Sequence, residues 1–536
     1  MNFTSLMFLP FVLVVCILYF TVFYAIKKQW IGLLLASLVF YLFSGPKYIV
    51  YVTTTTITTY FFARVIQHFH DCEKEESASK DISKEEKKLI KKKYASRRKW
   101  ILLVDLFINI GLLCVRKYTD FALSTLSSIL DKFGIDWSCR EFNFILPLGI
   151  SFYTFMLIGY FLDVYWKRYR AETNIFKLAT FTIYFPHILQ GPIARYNKLG
   201  PQLFETHKFD YDRVTKGLQL MLWGYFEKMV IADRISIFAT GVYAKWETQT
   251  ALPLIIAIIF FSMKLYLDFQ GCMDIGRGIS QVFGIDLELN FWHPYFSKNM
   301  PEFWRRWHIT LGAWFKDYLL YPVSMSKLSK TINKFTRRKW GNEVSRSIAT
   351  VLPAACVWIV TGTWHGAAMC YVIWGIYHGI LIIASSLFEI PIRKLTSFLK
   401  IDTTKFSFGL FQMTRTFILS AIGRIFFVAT DGFGQAIQII KRTFDFTNMG
   451  LYKLWDESLY TYGLDKRNFI LSILLIVLVW GISMVQEKKN IVIRDEIAKQ
   501  NIVFRWILYL ALIFSILIFG IYGTGYDASA FVYGKF

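Results

Sequence analysis

The chain alternates long stretches almost free of charge with short stretches dense in it. Met7 to Ile26, Ile31 to Phe43, Trp100 to Cys114, Phe144 to Tyr165, Leu252 to Leu267, Phe469 to Met484 and Trp506 to Ile521 are largely apolar. Crossing a hydrocarbon core as a helix takes ~20 residues of this kind. Hydrophobic residues make up 55% of the 536-residue chain and charged residues only 18%, whereas a soluble domain is about 45–50% apolar and about 25% charged. The pattern predicts an all-α polytopic membrane protein with about 11–12 transmembrane helices plus re-entrant or in-plane helices.

The net charge of +23 could suggest a nucleic-acid partner. Its distribution argues against one. Lys27-Lys28, Lys167 to Arg170, Lys327 to Arg346, Arg393 to Lys400 and Lys488 to Lys499 all lie between apolar runs. Basic loops of this kind set membrane orientation. Placing them on the cytoplasmic side gives twelve spans, near 5–26, 30–45, 48–66, 100–116, 143–165, 217–240, 251–270, 347–364, 366–388, 408–430, 467–486 and 504–524. The expected organisation is four parts: N-terminal spans in 1–66, a charged cytoplasmic loop in 67–99, a core in 100–430, and C-terminal spans in 431–536. Within the charged loop, Ser83 and Glu86 have the spacing of a capping box opening a helix. The first run has a long apolar core with no preceding basic residue, and reads as a retained span rather than a secretory signal. The seven cysteines are scattered without a CxxC pair, and the lone HxHxC string at His68, His70 and Cys72 lacks a second ligand pair. Neither a disulfide framework nor a metal site is expected.

Two apolar segments do not read as plain spans. Phe185 to Leu203 holds Pro186, Gly191, Pro192, Gly200 and Pro201, which should break a helix. Leu267 to Pro322 mixes Gly, Asp and Arg with Trp and Phe. Irregular backbone at membrane depth is tolerated only where protein buries it or it lines a cavity, so both segments point to an internal chamber.

Of the eight histidines, two stand out. His308 lies in MPEFWRRWHITLGAWFKDYLLYP, where Trp304, His308, Leu311 and Phe315 fall on one face of an expected helix and Arg306, Thr310, Ala313 and Asp317 on another. His365 lies in VTGTWHGAAMCYVIWGIYHG, an apolar hairpin in which Gly362 and Gly366 permit close approach. An ionisable residue in such a place is a functional candidate. His378, thirteen residues on, reads as a packing residue. The charges at Asp105, Asp163, Asp268, Arg415 and Arg424 read as structural pairs before substrate contacts. A neutral imidazole can take a proton from a hydroxyl, which can then attack a thioester; a second group can hold the tautomer or stabilise the oxyanion. No GxSxG elbow is present, so direct transfer fits better than a serine-hydrolase route.

Four motifs resemble the bacterial membrane-bound O-acyltransferases. They are PLGISFYTFMLIGYFLDVY at Pro147 to Tyr165, FPHILQGPIARY at Phe185 to Tyr196, YLDFQGCMDIGRGISQVFGI with the following NF and PY at Tyr266 to Tyr295, and FWRRWHITLGAWFKDYLLYP followed by TGTWHGA. The branch they are most similar to joins alginate O-acetyltransferases and D-alanyl teichoic-acid transferases. The resemblance implies a funnelled helical fold, with cytoplasmic and extracellular cavities separated by a thin, tunnelled layer. It places the family's invariant histidine at His365 and its second polar position at His308. Trp304, Arg305, Trp307, Asp317, Trp364 and Gln190 are the expected substrate-channel residues. The resemblance also implies transfer of an acyl group, acetyl being the leading expectation, from a cytoplasmic thioester toward hydroxyls of a cell-surface polysaccharide. The donor would be acetyl-CoA or a carrier-protein thioester, used as substrate with no tightly bound cofactor and no metal. Expected partners are membrane lipid, an extracytoplasmic acyltransferase or small membrane protein, and an acyl carrier protein, with no nucleic acid. The expected location is the plasma membrane of a bacterium. D-alanyl transfer to teichoic acid and a membrane transporter or flippase are the alternatives.

Overall fold

A computed structural model of the protein describes residues 2–43, 45–78, 83–137, 142, 144, 146–429 and 432–522. These residues are helical almost throughout, and among them the sole β pairing is an isolated antiparallel bridge between Phe291 and Trp307. Among the described residues, seven helices are long and apolar enough to cross a membrane: Phe8–Ala25, Pro46–Ala78, Ala251–Val282, Lys327–His365, Met369–Leu387, Lys466–Lys489 and Ile502–Phe519. Gln29–Leu42 and Ile150–Tyr165 are shorter apolar helices. The remaining expected spans fall on helices too: 100–116 within Lys84–Lys132, 217–240 on a composite helix from Tyr211 to Tyr243, and 408–430 on Phe406–Val428. The multi-pass, all-α reading holds.

The chain divides into two compact units. The first comprises residues 1–218 and 276–288. Its charged segment 67–99 is largely two helix ends rather than a loop: Ile49–Ala78 runs through its first half and Lys84–Lys132 begins in its second. The Ser83 hydroxyl accepts from Glu86 N–H, and the Glu86 carboxylate accepts from Ser83 N–H, completing the capping box. The two helices share a buried polar ladder. Asn109 Nδ2 donates to Thr59 Oγ1 at 3.1 Å, and Thr59 Oγ1 donates to Asp105 Oδ1 at 3.3 Å. Each buried polar atom satisfied in this way avoids a desolvation cost of about 1–3 kcal/mol. Asp163 pairs with Arg168 at 2.8 Å. The segment 185–204 departs from expectation at one proline. Pro186 opens the short helix Phe185–Ile188, but Pro201 sits inside the helix Tyr196–Phe204. It removes only one N–H donor from that helix.

The second unit comprises residues 219–275 and 289–536. A π-helical turn, Phe226–Ala232, is inserted ahead of Asp233–Tyr243. Beside it, Gly224 and Gly271 meet so closely that a Cβ on either would lie within 2.7 Å of the other's carbonyl oxygen. Small residues at a crossing let membrane helices approach backbone to backbone. The approach brings Lys228 Nζ to 2.8 Å from Asp268 and 2.6 Å from Asp233, with Lys264 3.2 Å from the other Asp268 oxygen. Lys228 and Asp268 are buried, so each requires the other's charge. Ala251–Val282 continues as unbroken helix well past the expected end of its span at 270. The irregular stretch begins only after it.

Candidate functional site

The helix expected through FWRRWHITLGAWF is interrupted at its histidine. Met300–Arg306 ends at Trp307, and a second helix, Ile309–Phe315, starts with His308 as its N-cap residue in a left-handed conformation at φ 50°. The single-face register of Trp304, His308, Leu311 and Phe315 therefore does not exist. A non-local pairing displaces it. Trp292 N–H donates to the Arg306 carbonyl at 3.0 Å, and Ile309 N–H to the Asn290 carbonyl at 2.9 Å, on either side of the Phe291–Trp307 bridge. Asn290 Oδ1 then caps the new helix, accepting from Thr310 N–H at 3.0 Å and Thr310 Oγ1 at 2.9 Å. Side-chain capping of this kind is worth about 1 kcal/mol. The same oxygen lies 3.2 Å from His308 Nδ1.

His308 is buried, with the edge of Phe269 4.9 Å away between ring centroids and Trp364 at 6.0 Å. Burial pushes its imidazole down to about 3, so the ring is neutral at physiological pH.

His365 closes the helix Val351–His365, and extended Gly366 turns the chain toward Met369–Leu387. The hairpin is tight for a steric reason. A Cβ on Gly362 would lie 2.6 Å from the Tyr371 carbonyl, one on Gly375 would lie 2.5 Å from the Trp358 carbonyl, and one on Gly366 would enter the Tyr371 ring. The His365 ring is buried and packs against Trp364 at 4.9 Å, Trp374 at 4.7 Å and Phe427 at 5.8 Å. Trp364 thus neighbours both histidines.

His365 lines a cavity of about 40 Å³ together with Trp304, Trp307, Trp374, His378 and Arg424. Leu265, Phe269, Phe303 and Phe427 complete its apolar walls and Ser420 adds a hydroxyl. Trp304 Nε1 and His378 Nδ1 are buried with no hydrogen-bond partner among the described residues. Such orphan groups are uncommon and call for a ligand or water.

The structure therefore gathers His365, Trp304 and Trp307 at one cavity, with Trp364 joining them to His308. Arg305 is exposed and does not line that cavity. Asp317 lies on a π-helical turn, Lys316–Leu320. Arg306, placed on the same expected face as Asp317, binds Glu302 and Glu487, each at 2.7 Å. Gln190 belongs to the first unit, where its buried amide has no partner among the described residues.

Three residues were not foreseen at the site. Asn290 sat unremarked in the NF motif because its partner is distant in sequence. His378 does pack, against Trp304, Trp358 and Trp374, but it also lines the cavity. The spacing of Trp374 and His378, one turn apart in WGIYHG, was the available signal. Arg424 breaks the expectation of structural ion pairs that Asp163 and Asp268 fulfil. Its guanidinium stands 5.0 Å from the Trp307 ring centroid, 5.3 Å from Tyr295 and 5.7 Å from Phe303. It donates to Ser420 Oγ at 3.3 Å, and no carboxylate pairs with it among the described residues.

Residues 170–336, which include the His308 segment, match the model of the membrane-bound O-acyltransferase family. A peptidoglycan O-acetyltransferase of Helicobacter pylori is 30% identical over 395 residues, 68% of this chain and 66% of that protein. A probable alginate O-acetylase of Pseudomonas syringae is 29% identical over 330 residues, 62% of this chain and 58% of its own length. A teichoic acid D-alanyltransferase of Bacillus subtilis is 28% identical over 249 residues, 46% of this chain and 60% of that protein. The matched stretches thus span between 58% and 66% of these relatives. The helical membrane architecture, the four motifs and these matches agree: the chain belongs to the membrane-bound O-acyltransferase family.

Proposed function

We propose that the protein is an O-acyltransferase that moves an acyl group from a thioester to hydroxyls of a bacterial cell-surface polysaccharide. One observation carries the chemistry. His365 is a buried imidazole on the wall of a small cavity, where Trp304 Nε1 and His378 Nδ1 have no hydrogen-bond partner among the described residues. His365 accepts the acceptor hydroxyl's proton as its oxygen bonds to the thioester carbonyl carbon. The carbon–sulfur bond then breaks and the departing thiolate takes the proton. General-base assistance of this kind contributes about 10²- to 10⁴-fold. His308 acts beside it across the Trp364 indole, as a neutral ring with a fixed proton. The relatives' names, an alginate O-acetylase, a peptidoglycan O-acetyltransferase and a teichoic acid D-alanyltransferase, support an envelope polymer as acceptor. The thioester arrives from the cytoplasm, as acetyl-CoA or on a carrier protein. An extracytoplasmic partner completes delivery, with the chain resident in the plasma membrane.

The test is replacement of His365 by Ala, followed by mass analysis of alkali-labile acyl groups on envelope polysaccharides. Loss of the modification at normal protein abundance is the expected result. Retained modification overturns the assignment of His365.

A further inference from the structure

Arg424 is an unusual wall for a reaction cavity. It is 5% exposed, it is surrounded by aromatic faces, and among the described residues it has no carboxylate to neutralise it. Cation–π contacts and one hydroxyl stabilise the guanidinium where it stands, but they leave its field reaching the cavity. Arginine does not escape by losing its proton. The other polar groups on the wall are imidazoles, an indole and a hydroxyl; no acidic side chain lines it. A bound group must therefore be uncharged or negative, and it gains if it presents an acceptor oxygen to the guanidinium. Size is limited too. About 40 Å³ is room for about three water molecules on the usual scale of one per 10–15 Å³, which suits a two- or three-carbon acyl group.

We propose that Arg424 makes this cavity a charge filter for the acyl donor, admitting a small neutral acyl thioester such as acetyl and rejecting an aminoacyl thioester such as D-alanyl. This rests on the acyltransferase reading and decides between its two candidate acyl classes. The α-ammonium of an aminoacyl thioester would share a low-dielectric pocket with a fixed cation. Like charges brought together in such a setting repel strongly, enough to separate the two donors by tenfold or more. An acyl carbonyl oxygen, by contrast, receives a charge-assisted hydrogen bond from the same group.

The experiment uses membranes carrying the full chain, with envelope polysaccharide from cells lacking it as acceptor. Pantetheine thioesters of labelled acetyl, propionyl and D-alanyl groups serve as donors, and alkali-labile label on the polymer is read as kcat/KM. Propionyl is D-alanyl without its ammonium, so this pair separates charge from size. Acetyl and propionyl should each exceed D-alanyl by at least about tenfold. Arg424→Gln should shrink the propionyl to D-alanyl ratio by about tenfold or more, and Arg424→Lys should keep it. Equal use of propionyl and D-alanyl by the wild-type protein overturns the filter, whether or not the variants fold. An unchanged ratio in a folded Arg424→Gln protein overturns it as well. Failure of the wild-type protein to transfer any of the three donors instead removes the acyltransferase reading on which the filter rests.

Discussion

Asn290 Oδ1 accepts from the backbone N–H of Thr310 and lies 3.2 Å from His308 Nδ1. The backbone donor fixes which end of the Asn290 amide is oxygen, because an N–H can donate only to an acceptor. His308 Nδ1 must then carry the ring proton, and Nε2 presents the lone pair. Asn290 is thus a positioning residue that sets the tautomer of His308. Asn290→Asp should place a carboxylate against that ring and favour its charged form. The pH–activity profile should shift to higher pH, since more hydroxide is needed to keep the ring neutral. A purely structural role for Asn290 would lower activity at every pH and leave the profile in place.

The depressed titration of His308 has a stability consequence. Its ordinary value is 6.5 and burial takes it to about 3. Between those values the unfolded chain binds a proton that the folded chain refuses, so stability falls as pH drops through that window and is fully present above it. Thermal unfolding in detergent should move to lower temperature on acidification from neutral pH. His308→Gln should flatten the slope between pH 6.5 and about 3. A slope identical to wild type would show that His308 does not titrate as its burial implies.

The Gly362–Gly375 crossing should not accept side chains. Gly362→Val would force a branched group into the Tyr371 carbonyl, separating the helices that carry His365 and Trp374. Overpacking of this kind costs about 1–3 kcal/mol. Activity is expected to fall more than stability, because the two ring systems are only 4.7 Å apart. Melting temperature and acyl transfer measured on the same preparation would separate the effects. Wild-type activity in the valine variant would contradict the crossing.

Lys228→Met should be among the most destabilising substitutions in the second unit. It would take from buried Asp268 a cation at 2.8 Å and from Asp233 one at 2.6 Å. Breaking one side of a buried pair costs about 3–5 kcal/mol. Lys228→Met combined with Asp233→Asn should recover part of the loss. Detergent size-exclusion profiles before and after heating would register both changes, and an unaltered profile in the single variant would refute the network's importance.

What the sequence disclosed and withheld follows the range of the forces. The spans, the Ser83–Glu86 cap and the His365 hairpin depend on neighbours within a few residues, and all are legible in the bare chain. The break at His308 is not, because the local pattern is helical and the competing partner, Asn290, is eighteen residues away. The Lys228 network hides for a similar reason, since nothing beside Lys228 in sequence announces Asp268. Arg424 was visible as a charge within an apolar run. That it faces aromatic rings rather than a carboxylate is a property of packing alone.

His308 holds a backbone conformation that few side chains adopt willingly, at φ 50°. For a residue other than glycine, asparagine or aspartate this costs on the order of 1–3 kcal/mol. His308→Asn would relax the turn but would give up the ring's packing against Phe269 and Trp364. A histidine at that turn sets backbone ease against an imidazole held in place, so heat tolerance and turnover have to be screened together rather than one for the other.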